Sequence, residues 1–346
     1  MTKILHICPL DKFIPPFVDF IEQNFTFSKH EFRVFGKAGA YYLKPRPNIH
    51  IAKRGFLGRV KAYSQLIISM HQAKKIILHS LFIPPVVKIL WAMPWLLKKC
   101  YWVMWGGDLY VYSLGEKNKE WKRSEFFRRP VINRMGYFVS YIYGDYEYAQ
   151  EWYSAKGQYK ECLMYPSNLY VNHPIEEKKH DAVNILVGNS ADPLNNHIEI
   201  FEKLEKYKND QINIYVPLSY GNKNNAEIIF KEGVKRFGDK FKPLVEYLLL
   251  EEYVELLSKI DVAIFNHKRQ QAMGNIITLL GLGVKVYMRS DVTQWSFFEK
   301  HEIKVFDIKG FNLKLQDGAV KKSNEDKVRS LFSFAMYKKQ LEELFH

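Results

Sequence analysis

Short strand-like runs of apolar residues alternate with segments of helical periodicity along almost the whole chain. This alternation is typical of α/β proteins, in which helices cross over between the strands of a parallel sheet. The pattern therefore predicts a doubly wound parallel sheet in the first half of the chain. The predicted strands there are Lys3–Cys8, Glu31–Phe35, Lys75–His79, Tyr101–Trp105, Tyr137–Tyr143 and Glu161–Tyr165, and the predicted helices are Pro15–Asn24, Gly58–Gln72, Pro84–Leu97, Glu120–Met135 and Tyr146–Ala155.

The alternation stops at Ser167–Asp181, a polar segment with a proline and a run of charges, and then begins again. The 346 residues suffice for two domains, which we place at 1–170 and 171–323, followed by a helix within 324–346 that is expected to pack back on the first domain. Two such domains predict facing Rossmann-like sheets with a cleft between them. The second series has strands Val183–Val187, Ile212–Pro217, Leu244–Tyr247, Asp261–Phe265, Lys285–Met288 and Lys304–Phe306, helices Asn195–Lys208, Asn224–Phe237, Glu251–Ile260, Gly274–Leu282 and Thr293–Lys300, and the tail helix Asn324–Phe345.

Basic residues are concentrated in the first half. Residues 1–170 carry 25 Lys and Arg against 12 Asp and Glu, whereas residues 171–346 carry 26 against 25. No acidic residue lies between Glu31 and Asp108. Such a surface suits an anionic lipid, an acidic substrate or nucleic acid, although it also fits a merely soluble basic face.

The three cysteines, Cys8, Cys100 and Cys162, follow no pairing or metal-binding spacing and are expected to stay reduced. The N-terminal residues are typical of a first strand rather than of a signal peptide. The most apolar stretch, Leu81–Leu97, contains three prolines and falls short of the ~20 apolar residues of a membrane span. We therefore expect a cytoplasmic protein in which Leu81–Leu97 is a buried or interfacial helix.

The segment Ile185–His197 combines a strand, a loop of small residues and a helix start. Gly188, Asn189 and Ser190 let the backbone approach an anion, and the following helix N-terminus directs N–H groups toward it. Asn195 and His197 can add hydrogen bonds to phosphate. The alternative is an ordinary turn in which Asn and Ser cap the helix.

A second loop, within Phe265–Gly283, follows a buried strand and precedes another helix. It contains two consecutive cations, Lys268 and Arg269, beside a helix N-terminus, and an arginine binds diphosphate bidentately. The alternative is a solvated basic loop. Tyr220 ends a third strand at the same predicted edge and either stacks on a base or is only a loop aromatic.

Acid–base candidates follow strands of the first half. Asp108 comes after Gly106 and Gly107, and a carboxylate there can accept the proton of an attacking hydroxyl. Asp11 competes for this role, and His79 is a third candidate. The alternatives are capping or turn formation for Asp108 and an interior structural role for His79. Nearby, Glu116–Met135 interleaves basic residues with Trp121, Phe126 and Phe127, and with Lys98–Lys99 and Arg54–Lys61 it suits an anionic leaflet.

Together the motifs WGGDLY, ILVGNSAD, VPLSYG and RQQAMGN resemble the TDP-N-acetylfucosamine:lipid II N-acetylfucosaminyltransferase family of enterobacterial common antigen assembly. The resemblance covers most of the chain and is clearest between Val183 and Glu299. It implies a GT-B fold and a metal-independent glycosyltransferase without a cofactor. It also implies a TDP-sugar donor in the second domain and an acceptor linked to polyprenyl diphosphate near the first.

By position, two sets of residues match the donor-side motifs of that family. The first set is Asn189, Ser190, Asp192, Asn195 and His197, the second is Arg269, Gln270, Gln271 and Gly274, and Asp11, His79 and Asp108 match acid or histidine positions of the first domain. The sequence departs from the family at Ala272, where the pattern has glycine, and at Asn275, where it has threonine.

Two other functions compete with this interpretation. A same-fold enzyme that uses UDP-sugars on another O-antigen or capsule acceptor fits the same motifs. A basic α/β nucleic-acid-binding protein fits the charge of the first half, but no known binding module is present and no nucleic acid is expected as a partner.

Overall fold

The structure is a computed structural model that describes residues 3–36, 41–53, 55–172 and 181–346. These residues form two compact units. The first comprises Met1–Asn168 together with Phe334–His346, and the second comprises Leu169–Ser333.

Seven parallel strands form the sheet of the described part of the first unit, in the order β3-β2-β1-β4-β5-β6-β7. The strands are β1 Ile4–Pro9, β2 His30–Phe35, β3 Ile49–Ile51, β4 Lys75–His79, β5 Cys100–Val103, β6 Tyr137–Ser140 and β7 Gln158–Glu161. The helices are α1 Ile14–Asn24, α2 Phe56–Gln72, α3 Pro84–Ala92, α4 Gly107–Leu114, α5 Lys119–Asn133 and α6 Tyr143–Tyr153. The central strands are buried on both faces, as the near-continuous apolar runs of a covered parallel sheet require.

The second unit has six parallel strands among its described residues, in the order β10-β9-β8-β11-β12-β13. These strands are β8 Val183–Val187, β9 Ile212–Pro217, β10 Phe241–Leu244, β11 Val262–Phe265, β12 Lys285–Met288 and β13 Phe306–Asp307. Its helices are α7 His197–Leu204, α8 Lys223–Phe237, α9 Leu250–Ser258, α10 Met273–Gly281, α11 Thr293–Lys300 and α12 Gly318–Leu331. In both units the strand order reverses beside the first strand, which confirms the predicted doubly wound architecture.

Several predicted boundaries differ from the structure. The predicted strand over Glu161–Tyr165 is wrong, because β7 ends at Glu161, and the one over Leu244–Tyr247 is wrong, because β10 ends at Leu244. Neither β3 nor α4 was predicted. The tail is two helices rather than one: α12 belongs to the second unit, and α13, Phe334–Phe345, belongs to the first.

The last helix packs on the first unit through aromatic side chains. Tyr337 is fully buried, its ring lies 4.6 Å from that of Phe20, and its hydroxyl donates a hydrogen bond to the backbone oxygen of Met164. Of the predicted linker, residues 173–180 lie outside the described part of the chain. In the described ranges no helix combines the length and apolarity needed to cross a bilayer.

Candidate functional site

Three loops of the second unit leave the sheet at the same edge. Strand β8 pairs in parallel with β9 on one side and β11 on the other, so the carboxyl ends of these strands are neighbours. Ligands bind at this edge of doubly wound sheets. The loops after β8, β9 and β11 are the ones in which the sequence predicts donor-binding residues.

The loop after β8 requires glycine at its first position. Gly188 has a φ of +69°, a conformation that residues with a Cβ rarely adopt. A Cβ built there would lie 2.6 Å from Oδ1 of Asn195 and 2.9 Å from Nε2 of His197. The backbone thus passes directly against two polar side chains, and any larger residue would displace them.

Asn195 and Asp192 fold this loop back on itself. The Asn195 side chain accepts a hydrogen bond from the backbone N–H of Asn189 at 3.0 Å and donates one to the backbone oxygen of Asp192, also at 3.0 Å. It also lies 3.3 Å from the Ser190 hydroxyl. The Asp192 carboxylate accepts from the N–H of Leu194 and thereby caps the short turn before α7. Asn195 is buried, and its contacts hold the backbone of Asn189 and Ser190 in place.

His267 joins the loop after β11 to the loop after β8. Its Nε2 lies 2.8 Å from Oδ1 of Asn195 and 3.1 Å from Oδ1 of Asn189. The Asn195 atom is an acceptor, because it already receives the N–H of Asn189. Nε2 of His267 must therefore carry the proton and donate to both asparagines.

Burial lowers the pKa of His267 to about 3, and the nearby positive charge of Arg269 lowers it further. The ring is therefore neutral at any physiological pH and acts as a fixed donor. Sequence reasoning gave His267 no role. The signal that marks it is its position directly after a buried strand, where a side chain faces the neighbouring loop.

The loop after β11 leads into the N-terminus of α10. Arg269 is half-buried, and its Nη1 donates to the backbone oxygen of Gln270 at 2.9 Å. Nε2 of Gln271 donates to Oδ1 of Asn189 at 3.3 Å, and the backbone oxygen of Gln271 accepts from Gln294 at 2.7 Å. Two loops predicted to bind one diphosphate are thus in direct contact through Asn189, Asn195, His267 and Gln271.

The start of α10 has an unusual backbone. Ala272 adopts a φ of +60°, the left-handed conformation that glycine tolerates best. The glycine of the family pattern fits this position better than the alanine found here. Gly274 and Asn275 lie in the first turn of α10, where backbone N–H groups lack helical acceptors. The Asn275 side chain donates to the hydroxyl of Tyr253 at 3.0 Å.

Tyr220 follows β9 and meets the same cluster. Nδ2 of Asn189 donates to its hydroxyl at 3.0 Å, yet 46% of the residue remains exposed. Burial raises the pKa of the hydroxyl, and the bond from Asn189 opposes this rise. The hydroxyl is therefore fixed while part of the residue stays open to solvent, as a stacking surface for a planar ring requires.

Several buried polar atoms at this edge have no hydrogen-bond partner within the protein. They are Nδ1 and Nε2 of His197, Nδ2 and Oδ1 of Asn266, and Oε1 of Gln271. Burial lowers the pKa of His197 to about 4, although Asp192 opposes the shift, so the ring is neutral and offers one donor and one acceptor. Unpaired buried polar groups are rare, and their concentration here indicates that water or a polar ligand occupies the site.

Asp108, the first base candidate, is completely buried. Its carboxylate accepts hydrogen bonds from the N–H of Leu81 at 2.9 Å, the indole of Trp102 at 2.7 Å and the N–H of Trp105 at 2.9 Å. Burial raises its pKa, and these hydrogen bonds and the charge of Arg128 act in the opposite direction. The contacts favour the structural alternative, in which Asp108 fixes the turn after β5, over proton abstraction, because both carboxylate oxygens already accept hydrogen bonds.

His79 is part of a buried hydrogen-bonded chain. The indole of Trp105 donates to the hydroxyl of Tyr165, whose oxygen lies 2.7 Å from Nδ1 of His79. His79 continues to His6 at 3.0 Å, and His6 continues to His30 at 2.9 Å. His79 is therefore an interior structural histidine, the alternative that the sequence left open.

Asp11 differs from both of these residues. It follows β1 at the carboxyl edge of the first sheet, is only partly buried, and makes one long contact of 3.4 Å with the N–H of Phe13. An accessible carboxylate at this edge keeps its capacity to accept a proton. Elsewhere in the described residues, no group of three or more His, Cys, Asp or Glu side chains is arranged to hold a metal ion.

Comparison with known proteins gives one family match. Residues 13–330 match the family described as 4-alpha-L-fucosyltransferase, glycosyl transferase group 56. This match extends over most of the 346 residues and includes every predicted site residue except Asp11.

Solved structures share the architecture at low sequence identity. The Anabaena protein Alr3699/HepE, solved in complex with UDP and glucose, has a TM-score of 0.70 and 11% identity, and the match covers 99% of each chain. WaaG, a glycosyltransferase involved in lipopolysaccharide biosynthesis, has a TM-score of 0.61 and 11% identity, with 99% of this chain and 98% of that chain covered. Sucrose-phosphate synthase from Thermosynechococcus elongatus has a TM-score of 0.66 and 12% identity, with the same coverage. These likenesses confirm the expected GT-B fold of two Rossmann-like domains.

Proposed function

The chain belongs to the 4-alpha-L-fucosyltransferase family, glycosyl transferase group 56, and on this premise we propose that it moves a deoxyamino sugar resembling N-acetylfucosamine from TDP to an oligosaccharide linked to polyprenyl diphosphate. The chain is thus a glycosyltransferase. The reaction would serve cell-surface polysaccharide synthesis, on the cytoplasmic face of the inner membrane. The observation that carries the proposal is the contact of two polar loops at one sheet edge, which His267 joins.

In this proposal the donor diphosphate lies against Gly188–Ser190 and the loop Arg269–Gly274. The backbone N–H groups at the start of α10 and the guanidinium of Arg269 supply positive charge, which stabilises the diphosphate as it leaves. The unpaired nitrogens of His197 and the side chain of Asn266 would complete its hydrogen bonds. Tyr220 would stack on the base.

The transfer itself forms one bond and breaks one. The acceptor hydroxyl oxygen bonds to the anomeric carbon, the bond from that carbon to the diphosphate breaks, and TDP leaves with the electron pair. Asp11 is the proposed base that takes the hydroxyl proton, because its carboxylate is the accessible one of the two candidates. The side-chain and helix charges described above would neutralise the leaving group without a metal ion or cofactor.

A UDP-sugar is the second candidate donor. The specific observation in its favour is the structural likeness to HepE, which was solved with UDP and glucose. The two donors differ in the base methyl group and the ribose 2′-hydroxyl. A thermal-shift screen against TDP, UDP, GDP and CMP separates them, because a ligand that binds only the native state raises its melting temperature. The proposal expects the largest shift with TDP, and a shift with UDP alone would favour the second candidate.

Substitution of Arg269 tests the assigned leaving-group role. Arg269→Ala removes a charge-assisted contact to diphosphate, so we expect transfer to fall by about 10²-fold in kcat. Lys235→Ala is the matched control, since Lys235 is exposed in the last turn of α8, at the opposite end of the strands. Transfer would be measured from TDP-sugar to the lipid-linked acceptor, with and without EDTA. Unchanged turnover in the Arg269 variant would refute its role, and a loss with EDTA would refute metal independence.

A further inference from the structure

One helical face of the first unit combines exposed basic and aromatic side chains. On α5, the side chains of Lys119, Lys122, Arg123 and Phe126 lie within two helical turns, at mutual spacings that include three and four, so they share one stripe. All four are exposed, and Phe126 is 62% exposed. An exposed phenylalanine beside three cations is not explained by the folding of this unit.

The neighbouring helix α3 extends the same surface. The ring of Trp91 lies 5.8 Å from that of Phe126 and 5.3 Å from that of Phe127. The ammonium of Lys88 lies 5.4 Å from the Phe127 ring. Trp95, in the turn after α3, is 59% exposed and its indole contacts His71 at the end of α2. The rings of Trp91, Phe126 and Phe127 thus form a row between the basic residues of the two helices, and Trp95 is a further exposed aromatic side chain after α3.

An apolar cavity of about 280 Å³ opens beside this row. Leu90, Pro94 and Leu97 line it from the α3 side, and Pro130 and Val131 line it from α5. The exposed residues Trp91 and Arg134 complete its wall. The cavity places hydrocarbon walls directly beside positive charge.

Other basic and aromatic residues of the same segments make contacts within the protein and are not part of this surface. Trp121 donates its indole N–H to the backbone oxygen of Val111, and Arg128 is buried against Glu125. Lys99 donates to the backbone oxygens of His71 and Ala73 at the end of α2. These contacts give three members of the basic, aromatic segments structural roles, and they remove them from the exposed surface.

We propose that this surface, defined by Lys88, Trp91, Trp95, Lys122, Arg123 and Phe126, docks on an anionic phospholipid bilayer. The proposal rests on the proposed function, since it names the membrane surface at which a lipid-linked acceptor would be used. Tryptophan and phenylalanine belong at the boundary between headgroups and hydrocarbon, and lysine and arginine pair with anionic headgroups. The single exposed acid on α5, Glu120, stands in its first turn, so the surface is strongly positive.

Nucleic acid is the rival occupant for a basic surface. Unpaired bases could stack on the exposed aromatic rings between the cations, but nucleic acid makes no use of an apolar cavity walled by leucine, proline and valine. An interfacial helix pair, by contrast, buries such residues in the acyl boundary. The combination of apolar cavity, aromatic row and basic stripe therefore favours the bilayer.

Vesicle sedimentation of the full chain tests the proposal. We expect the protein to sediment with vesicles of equal parts phosphatidylglycerol and phosphatidylcholine, and much less with phosphatidylcholine alone. Lys122→Gln with Arg123→Gln should lower the partition coefficient roughly 30-fold, about 1 kcal/mol for each charge removed. Trp95→Ser with Phe126→Ser should lower it by about tenfold or more, because these side chains would insert among the lipids.

Matched controls lie on α8 of the second unit. Lys231→Gln with Lys235→Gln removes the same charge, and Ile228→Ser with Val234→Ser removes exposed apolar side chains that are 55% and 47% exposed. Both controls should bind vesicles as the unmodified chain does. Equal loss in control and test pairs, or vesicle binding unchanged in both test pairs, would overturn the proposal. Tighter binding to a single-stranded oligonucleotide than to vesicles, lost in the same variants, would also overturn it.

The melting-temperature shift with TDP is measured on the same variants. It reports on the second unit and should be unaffected by changes on α3 and α5. Failure of nucleotide binding with intact vesicle binding would therefore count against the proposed function, and the reverse result would count against this surface.

Discussion

His267 provides the sharpest test of how the two loops of the second unit are held together. Its Nε2–H is shared by the side-chain oxygens of Asn189 and Asn195, at 3.1 and 2.8 Å, and the ring is buried. His267→Phe keeps an aromatic ring in this space but removes the donor. The loop after β8 then loses its direct link through this side chain to the loop after β11.

The loss in the free energy of unfolding follows from the hydrogen bonds that remain in the variant. Asn195 Oδ1 keeps the N–H of Asn189, and Asn189 Oδ1 keeps only the 3.3 Å contact from Gln271. One buried acceptor is thus nearly unsatisfied, which costs about 1–3 kcal/mol. We expect the free energy of unfolding to fall by about that amount, and the KM for the nucleotide sugar to rise about tenfold as the donor loop loses its fixed position.

The assay combines urea unfolding with steady-state kinetics over a range of donor concentrations. His267→Gln is the conservative variant, because its amide can again donate to an asparagine oxygen, and it should recover part of the donor KM. Because the folded ring of His267 has a pKa of about 3 and stays neutral, the difference in donor KM between the variant and the unmodified chain should be constant between about pH 6 and pH 9. A donor KM unchanged by His267→Phe would refute the role, and a KM difference that titrates near neutral pH would refute the neutral tautomer.

Three further predictions concern single residues and pH. Gly188→Ala places a Cβ on a backbone with a φ of +69°, within 2.6 Å of Asn195, so it should lower the free energy of unfolding by about 1–2 kcal/mol and weaken TDP binding. Gly310→Ala is the control, because the space around its Cβ is open, and it should change neither quantity in melting and titration experiments. Asp11→Asn should lower kcat with little change in melting temperature. Asp108→Asn should lower the melting temperature, because its carboxylate accepts three hydrogen bonds. The opposite pattern would identify Asp108 as the base. Burial lowers the pKa of His30 to about 4 and that of His79 to about 3, so these rings take up protons below pH 6.5 in the unfolded chain but not in the folded one. The free energy of unfolding, measured in urea, should therefore fall by about 2 kcal/mol per histidine between about pH 8 and pH 5. A free energy of unfolding that is constant over this range would contradict the prediction.

The repeating βα pattern made most of the fold predictable from the sequence. Strands such as Val183–Val187 and Lys285–Met288 are nearly continuous apolar runs, and their predicted bounds agree with β8 and β12. The polar strand β7 and the three-residue β3 gave no such pattern, because edge strands of the sheet bury little surface. The break between α12 and α13 was missed, because the helical pattern continues across the chain's return to the first unit.

The candidate site was predictable in its loops but not in its partners. Small residues and asparagines after a buried strand marked the loop at Gly188, since such residues suit a close approach to an anion. Two consecutive cations beside a helix N-terminus marked the loop at Arg269. The pairing of His267 with Asn195, 72 positions apart, depends on the sheet order and has no local signal. The same holds for the chain from Tyr165 to His79 and His6, in which each partner lies on a different strand or loop.

The central claim is that the loops at Gly188–Ser190 and Arg269–Gly274 together bind the diphosphate of a nucleotide sugar. A crystal structure of the full chain soaked with TDP tests it most directly. The account predicts a diphosphate within hydrogen-bonding distance of the backbone N–H groups of the first loop and of the guanidinium of Arg269, with the base beside Tyr220. A TDP molecule bound in another part of the second unit, with both loops unoccupied, would contradict it.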